Sequence, residues 1–417
     1  MVLSPPASSA DPSEVVEIAA PEALPPASEP PAPSITPAEG PAVEPQPDDE
    51  KKGKDEGKDE GKDEDEQADK KPKKYDVDVE ARIIAGGRLV HTESVRDADG
   101  NPIGVEERKG ALVLRQARVG VDARYKDILR ARITLDFADL LGTPTVGDVL
   151  RNAFADIKVH DAFQLRVGHF KRPYSRLELR STNSRPFLGR GLYNGLAIED
   201  LQWGDRAVGM AIRGKLEPGR AGLDGVSWMV SITNNALSGA PNGFDVHARL
   251  VYDPLPWLSI GANWAYKNVQ DPLANETECR TTWTRGPECR RNVFGAGGDV
   301  AFEVGGFDAM VEVNLAQDWL NADSSPWLLG ALGYASYEIS ITEKTRLQPV
   351  LFGEYIDSNL SYAESEALRG GGAFNLLWGK RLRVIPQVEF VAPLRPITSF
   401  NRFVGQQTYG LWVAVQL

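Results

Sequence analysis

The sequence predicts an all-β fold: a sixteen-stranded antiparallel transmembrane β-barrel at residues 75–417, preceded by a disordered tail at residues 1–74. Three observations carry that prediction. From Tyr75 onward apolar and polar residues alternate with a period of two, sixteen such segments can be counted, and the connections between them alternate between short and long. A barrel wall has one face in lipid and one in water, so each strand needs one apolar and one polar side.

The tail comes first in the chain. The 417 residues carry 47 Lys and Arg against 59 Asp and Glu, a net charge of −12, yet residues 1–74 alone hold 19 of the acids, 9 of the bases and no aromatic residue. Such a segment buries too little apolar surface to offset the entropy of ordering. Residues 1–47 contain 13 of the 29 prolines, and a period-four repeat follows, running Gly53-Lys54-Asp55-Glu56, Gly57-Lys58-Asp59-Glu60 and Gly61-Lys62-Asp63-Glu64. This is the composition of an extended, solvated spacer. The first ten residues lack the basic and apolar regions of an export signal, while Ala7-Ser8-Ser9-Ala10 has the small residues of a cleavage site. The expectation is a sequence that starts inside or after a longer export signal, on a protein bound for the bacterial outer membrane.

The strands follow in order, starting near residues 75, 108, 127, 148, 163, 206, 224, 242, 257, 291, 307, 327, 343, 364, 381 and 407. In the first, Tyr75, Val77, Val79, Ala81 and Ile83 oppose Asp76, Asp78, Glu80 and Arg82; in the third, Leu129, Ala131, Ile133, Leu135 and Phe137 oppose Arg130, Arg132, Thr134 and Asp136. Short connections near residues 125–127, 160–162, 253–256, 304–306 and 379–380 separate long ones near 93–107, 172–205, 268–290 and 392–406. Short turns on one rim and long loops on the other are what an outer-membrane barrel requires. Trp257, Trp264, Tyr266, Trp319, Trp327, Trp378 and Tyr409 sit near strand ends, where aromatic rings mark membrane interfaces. In the last segment Tyr409, Leu411, Val413, Val415 and Leu417 alternate to the carboxyl end, as a strand that closes the barrel against the first would.

Sixteen strands enclose an aqueous lumen. The third long connection opens with Lys171-Arg172-Pro173-Tyr174-Ser175-Arg176 and continues through Arg180, Arg185 and Arg190, so residues 171–190 hold six bases and one acid, Glu178. Cationic side chains at a constriction select anions, and guanidinium groups match phosphate oxygens in pairs. The strand residues Arg115, Arg118, Arg124, Arg130, Arg132, Lys158 and Arg166 add bases to the same region. Arg118, Arg124, Arg130, Arg132, Lys158 and Arg166 are expected to face the lumen, together with Asp122, Asp136 and Asp156. The competing reading of the loop is an exposed basic segment that stays solvated or meets anionic lipopolysaccharide.

The run from Leu150-Arg151-Asn152-Ala153-Phe154-Ala155-Asp156 through Leu165-Arg166-Val167-Gly168-His169-Phe170-Lys171-Arg172-Pro173-Tyr174 to Phe187-Leu188-Gly189-Arg190 resembles the phosphate-selective porin O/P family, as does Leu114-Arg115-Gln116-Ala117-Arg118-Val119-Gly120-Val121. The resemblance implies a homotrimeric porin whose third loop folds inward and carries anion-binding bases. Lys171 and Arg190 match recurrent positions of the family. Arg172, Arg176, Arg180 and Arg185 are assigned to the constriction from charge and placement.

Other chemistry is weaker. Cys279 and Cys289 share one long loop and are expected to form a disulfide in an oxidising compartment. The four histidines, His91, His160, His169 and His247, are scattered, no serine lies in a nucleophile motif, and neither a metal-ligand cluster nor a phosphate-cradling glycine loop stands out. The expectation is therefore no enzyme, no cofactor, no metal and, with a near-neutral folded part, no nucleic acid. The predicted function is an outer-membrane diffusion channel for small hydrophilic solutes, with outer-membrane lipid and small anions such as phosphate as partners. A lipid-acting barrel enzyme, an adhesion or envelope-tethering barrel and a soluble β-sandwich are the alternatives.

Overall fold

The computed structural model describes residues 75–93, 106–141, 149–182, 184–216, 225–234, 243–270, 290–320, 325–362, 364–394 and 403–416. The expectations for residues 1–74 and for the Cys279–Cys289 disulfide lie outside these residues. The strands are β1 (Tyr75–Thr92), β2 (Glu107–Tyr125), β3 (Leu129–Asp136), β4 (Leu150–His160), β5 (Phe163–Lys171), β6 (Arg206–Leu216), β7 (Val226–Asn234), β8 (Phe244–Leu255) and β9 (Leu258–Gln270). They continue as β10 (Arg290–Val304), β11 (Phe307–Gln317), β12 (Trp327–Tyr337), β13 (Ile339–Ser340), β14 (Thr345–Asp357), β15 (Glu366–Trp378), β16 (Leu382–Pro393) and β17 (Gln406–Gln416). β12 and β13 are one stave interrupted at Glu338, since both pair with β14. The wall is thus sixteen-stranded.

Each stave pairs antiparallel with the next, and β17 pairs with β1 from Arg82↔Gln416 to Thr92↔Gln406. Closure leaves no unpaired edge, which a bilayer would penalise heavily because it offers no water to satisfy backbone groups. The outer face carries the apolar half of each alternating pattern: Val77, Val79, Ile133, Val208, Val311 and Leu411 are all exposed. Trp257, Trp264, Trp327, Trp378 and Tyr409 are exposed with them, as rings at a membrane interface must be. Trp319 is not: it is buried, and its Nε1 donates to the Leu201 carbonyl at 2.8 Å.

Two irregularities change which residues face inward. The β1–β2 register passes from Ile84↔Gln116 to Ala85↔Leu114, and the β3–β4 register from Thr134↔Asn152 to Leu135↔Leu150. The extra residue is an arginine in both cases. Such bulges re-aim a side chain: Arg115 lies over the buried Trp412 ring at 5.3 Å, and Arg151 Nε lies 3.9 Å from Asp136.

The third long connection, between β5 and β6, folds into the barrel. Its Tyr174, Tyr193, Ile198, Leu201 and Trp203 form one buried cluster with Ala265, Val293, Ala316, Leu328 and Ile356 of the wall. Leu177, Phe187 and Leu188 form another with Met310, Leu332, Phe352 and Ile385. Phe187 stacks on Phe352 with ring centres 4.5 Å apart. The ordinary place for such a core is between two layers of a soluble fold; here it lies between an inserted loop and one side of the lumen. Gly330 makes room for it, because a Cβ there would collide with the Tyr193 ring.

Candidate functional site

Two carboxylates of the wall fix the path of the inserted loop. Glu312 on β11 accepts from Ser175 Oγ at 2.6 Å and from the backbone N–H groups of Arg176 and Leu177 at 2.5 and 3.0 Å. These are the orphan donors at the start of the one-turn helix Arg176–Leu179, where a negative charge is best placed. Glu354 on β14 does the same one turn of the loop later, accepting from Leu192 and Tyr193 N–H at 2.7 Å each. Gly191, at φ +104°, lets the backbone approach that carboxylate. Gln387 on β16 holds Leu188 through both its amide atoms, at 2.9 and 2.8 Å. Tyr174 and Tyr193 share a hydroxyl–hydroxyl hydrogen bond of 3.0 Å, and burial pushes both phenols above their ordinary range, so they bond as neutral groups.

This docking sorts the six predicted loop bases into two sets. Lys171, Arg172, Arg185 and Arg190 are buried. Lys171 and Arg190 both pair with Glu178, the loop's only acid between 171 and 190. Arg172 Nη1 lies 2.6 Å from Asp245 of β8, and Arg185 donates to the Gly189 carbonyl and to Thr182 Oγ1. Arg176 and Arg180 keep 27% and 21% of their side-chain surface open. Each rests one edge on the wall: Arg176 Nη1 on Ser259 Oγ at 2.8 Å and Asp299 at 3.2 Å, Arg180 on both oxygens of Asp308 at 3.1 and 2.7 Å and on the Tyr334 hydroxyl.

The strands not covered by those contacts carry a different pattern. Among the described residues of β2–β6, Asp122 is shared by Arg124, Arg130 and Arg132, Asp136 by Arg118 and Arg151, and Asp156 by Arg166 and Arg213. Glu80 of β1 adds one more acceptor, 2.9 Å from Arg132. Seven guanidinium groups therefore meet four carboxylates. The acids hold the arginines in fixed orientations without cancelling them, and Arg124 and Arg213 keep 46% and 29% of their side chains open.

The predicted lumen set of Arg118, Arg124, Arg130, Arg132 and Arg166 lies in this network. Lys158 stands apart, paired with Asp161 at 2.6 Å beside the short turn after β4. Sequence reasoning missed Arg151 and Arg213. Arg213 was legible, since it opposes the outward Ile212 and Met210 on β6. Arg151 was not, because its direction depends on the bulge.

The model of the family described as phosphate-selective porin O and P matches residues 85–325, more than half of the chain and the stretch that contains the inserted loop. The chain belongs to the phosphate-selective porin O and P family. It is an outer-membrane channel protein, and its place is the bacterial outer membrane. Two solved structures share the porin's fold. The trimer form of OmpT, an outer-membrane protein of Vibrio cholerae, is 11% identical with a TM-score of 0.53, covering 82% of this chain and 99% of that one. The anion-selective porin from Comamonas acidovorans is 12% identical with a TM-score of 0.52, covering 82% and 100%. No curated protein matches the sequence.

Proposed function

We propose that this porin is a homotrimeric diffusion channel that prefers small anions, phosphate and related oxyanions among them. The observation that supports it most strongly is the ion-pair network of β1–β6, in which seven guanidinium groups meet four carboxylates, facing a loop on which two of the six predicted bases, Arg176 and Arg180, stay partly open. In this reading Arg176 and Arg180 meet the passing anion, while Lys171, Arg172, Arg185 and Arg190 hold the loop in position. Arg118, Arg124, Arg130, Arg132 and Arg166 continue the path along the opposite wall, and Lys158 marks its rim.

The mechanism is passive. A permeating anion exchanges part of its hydration for fixed N–H donors, and because each arginine is already engaged by a carboxylate, no single site holds the ion tightly enough to stop it leaving. Titratable groups do no chemistry on the solute. Trimerisation is supported by the trimer form of the Vibrio cholerae protein of similar fold, and outer-membrane lipid would cover the remaining apolar face. Planar-bilayer conductance under a salt gradient tests the proposal: an anion-directed reversal potential and phosphate block of chloride current are expected. A cation-directed potential would overturn it.

A further inference from the structure

The inserted loop begins and ends against one spot on β8 and β9. Arg172, at its start, donates from Nε to the Asp205 carbonyl near its end at 2.6 Å, and from Nη1 to Asp245 Oδ2 on β8 at 2.6 Å. Lys267 on β9 reaches the same carboxylate oxygen at 3.2 Å, and its ammonium lies 5.5 Å from the centre of the Trp203 ring and 5.8 Å from that of Trp319. His247, two positions along β8 from Asp245, completes the clamp. Its Nε2 is 2.9 Å from the Trp203 carbonyl, and its ring meets that of Tyr174 edge-on with centres 6.4 Å apart. Arg172, Asp245, His247 and Lys267 are all fully buried. One imidazole thus touches both ends of the loop.

These contacts fix the protonation state in which the imidazole fits. A carbonyl oxygen only accepts, so Nε2 carries the hydrogen, and Nδ1, which has no hydrogen-bond partner among the described residues, carries none. The ring of the docked loop is neutral. A proton added at Nδ1 would make a third cation beside Arg172 and Lys267, which both act on the ring electrostatically, with Asp245 as the one carboxylate shared by the two. That charge would be closed off from solvent and would find no acceptor at Nδ1.

The acids of the neighbouring elements are engaged elsewhere. β7 presents hydroxyls, Ser231 opposite His247 and Thr233 opposite Asp245, and β9 presents Ala265 opposite the ring with Asn263 and Lys267 on either side. Arg249, the next inward residue of β8, pairs with Asp299 on β10. On the loop, Asp205 lies 3.6 Å from Arg206, and the Tyr174 hydroxyl bonds Tyr193 and the Leu315 carbonyl. Glu312 on β11 is taken up by Ser175 and the start of the loop helix.

We propose that His247 is a proton-operated latch: neutral, it holds both ends of the inserted loop against β8, and protonated, it releases them, so that acid frees the loop from the wall and widens the channel. The effect on conductance rests on the channel reading; the release of the loop does not, and neither depends on anion preference. The charged ring fits only the undocked loop. Docking is therefore strongest above the ordinary imidazole range and weakens as the pH falls through and below it.

Amide hydrogen exchange of residues 172–205 in the full-length protein in detergent, followed from neutral to acid pH, tests the latch without requiring conductance. Protection, corrected for the intrinsic exchange rate at each pH, should fall in the wild type by up to about tenfold per pH unit, the limit for one proton. His247→Gln keeps an amide donor for the Trp203 carbonyl and cannot take up the proton, so its protection should stay level over the same range. Lys267→Met keeps the imidazole and removes one of the two cations beside it, so its acid response should be weaker than that of the wild type. In planar bilayers, wild-type conductance should rise over the range in which protection falls, and that of His247→Gln should not.

A level wild-type exchange profile would overturn the proposal. So would variant profiles that fall in parallel with the wild type, which would assign the acid response to carboxylates such as Glu312 and Glu354. If His247→Gln fails to hold the loop at neutral pH, the Lys267→Met profile decides between the two results. An anion-directed reversal potential with a level exchange profile would remove the latch and leave the channel reading standing. Absence of conductance with an acid-sensitive exchange profile would do the reverse.

Discussion

The two sides of the lumen use charge in opposite ways. On β8–β16 the inward carboxylates Asp245, Asp299, Asp308, Glu312 and Glu354 are all taken up by the inserted loop or by neighbouring cations. On β1–β6 the arginines outnumber the carboxylates, and Asp122, Asp136 and Asp156 are each shared by two or more of them. Acids on the first side hold a loop, and acids on the second side hold bases. One barrel therefore presents an electrically filled wall and a cationic one, and its near-zero total charge beyond the tail says little about the field a solute meets.

The largest expected effect comes from breaking the filled side. Replacing Glu312 and Glu354 together by Ala leaves Ser175 Oγ and four backbone N–H groups without their acceptors. Each buried orphan costs about 1–3 kcal/mol, which is enough in sum to release the loop. Single-channel conductance should rise and phosphate block should disappear, while the closed wall keeps the barrel heat-resistant in detergent. Unchanged conductance would mean that the apolar clusters around Trp203 and Phe187 hold the loop without the carboxylates.

A smaller effect is expected from inverting the cationic side. Changing Arg124, Arg130 and Arg132 to Gln removes three charges around Asp122 and leaves that aspartate without a cation. The reversal potential should move toward cations. Asp122→Asn should move it the other way, because the same three arginines lose their shared acid. If both substitutions shift the potential in one direction, the wall does not set selectivity through its net charge.

These contrasts were only partly legible in the sequence. The alternation of side chains placed every stave within two residues of its start, because an apolar outer face leaves a strand little freedom of register. Alternation also put Arg118, Arg130 and Arg166 on the inner face. Which loop bases stay open is a different kind of fact. Arg172 is buried because Asp245 lies 73 positions away in the chain, and Arg180 is anchored by Asp308, 128 positions away. Those partners become neighbours only when the loop turns inward. The bulges that turn Arg115 and Arg151 toward the lumen add one residue to a strand and leave no mark on its composition.

The loop side of the path gives the next effect in size. Arg176→Gln and Arg180→Gln keep a polar side chain against Ser259 and Tyr334 but remove the charge. A hydrogen bond to a charged group contributes about 1.5–3 kcal/mol, so the phosphate concentration that halves chloride current should rise about tenfold or more for each substitution. The same substitution at Arg185 is expected to act through stability instead, since that side chain is buried and donates to the loop's own Gly189 carbonyl and Thr182 hydroxyl. A Lys171, Arg172 or Arg190 variant that weakened phosphate block with an undisturbed melting temperature would place the passing ion deeper than Arg176 and Arg180.

The smallest effect is expected at the rim. Lys158 and Asp161 form an ion pair at the turn between β4 and β5, with 38% and 70% of their side chains open, and exposed pairs are screened by salt. Lys158→Ala should leave conductance, reversal potential and melting temperature at their wild-type values in physiological salt. A change that appears only at low ionic strength would identify Lys158 as a steering charge that raises the local concentration of anions at the short-turn mouth. The cationic wall would then extend in function beyond the seven arginines that share carboxylates, to a lysine that has an acid of its own.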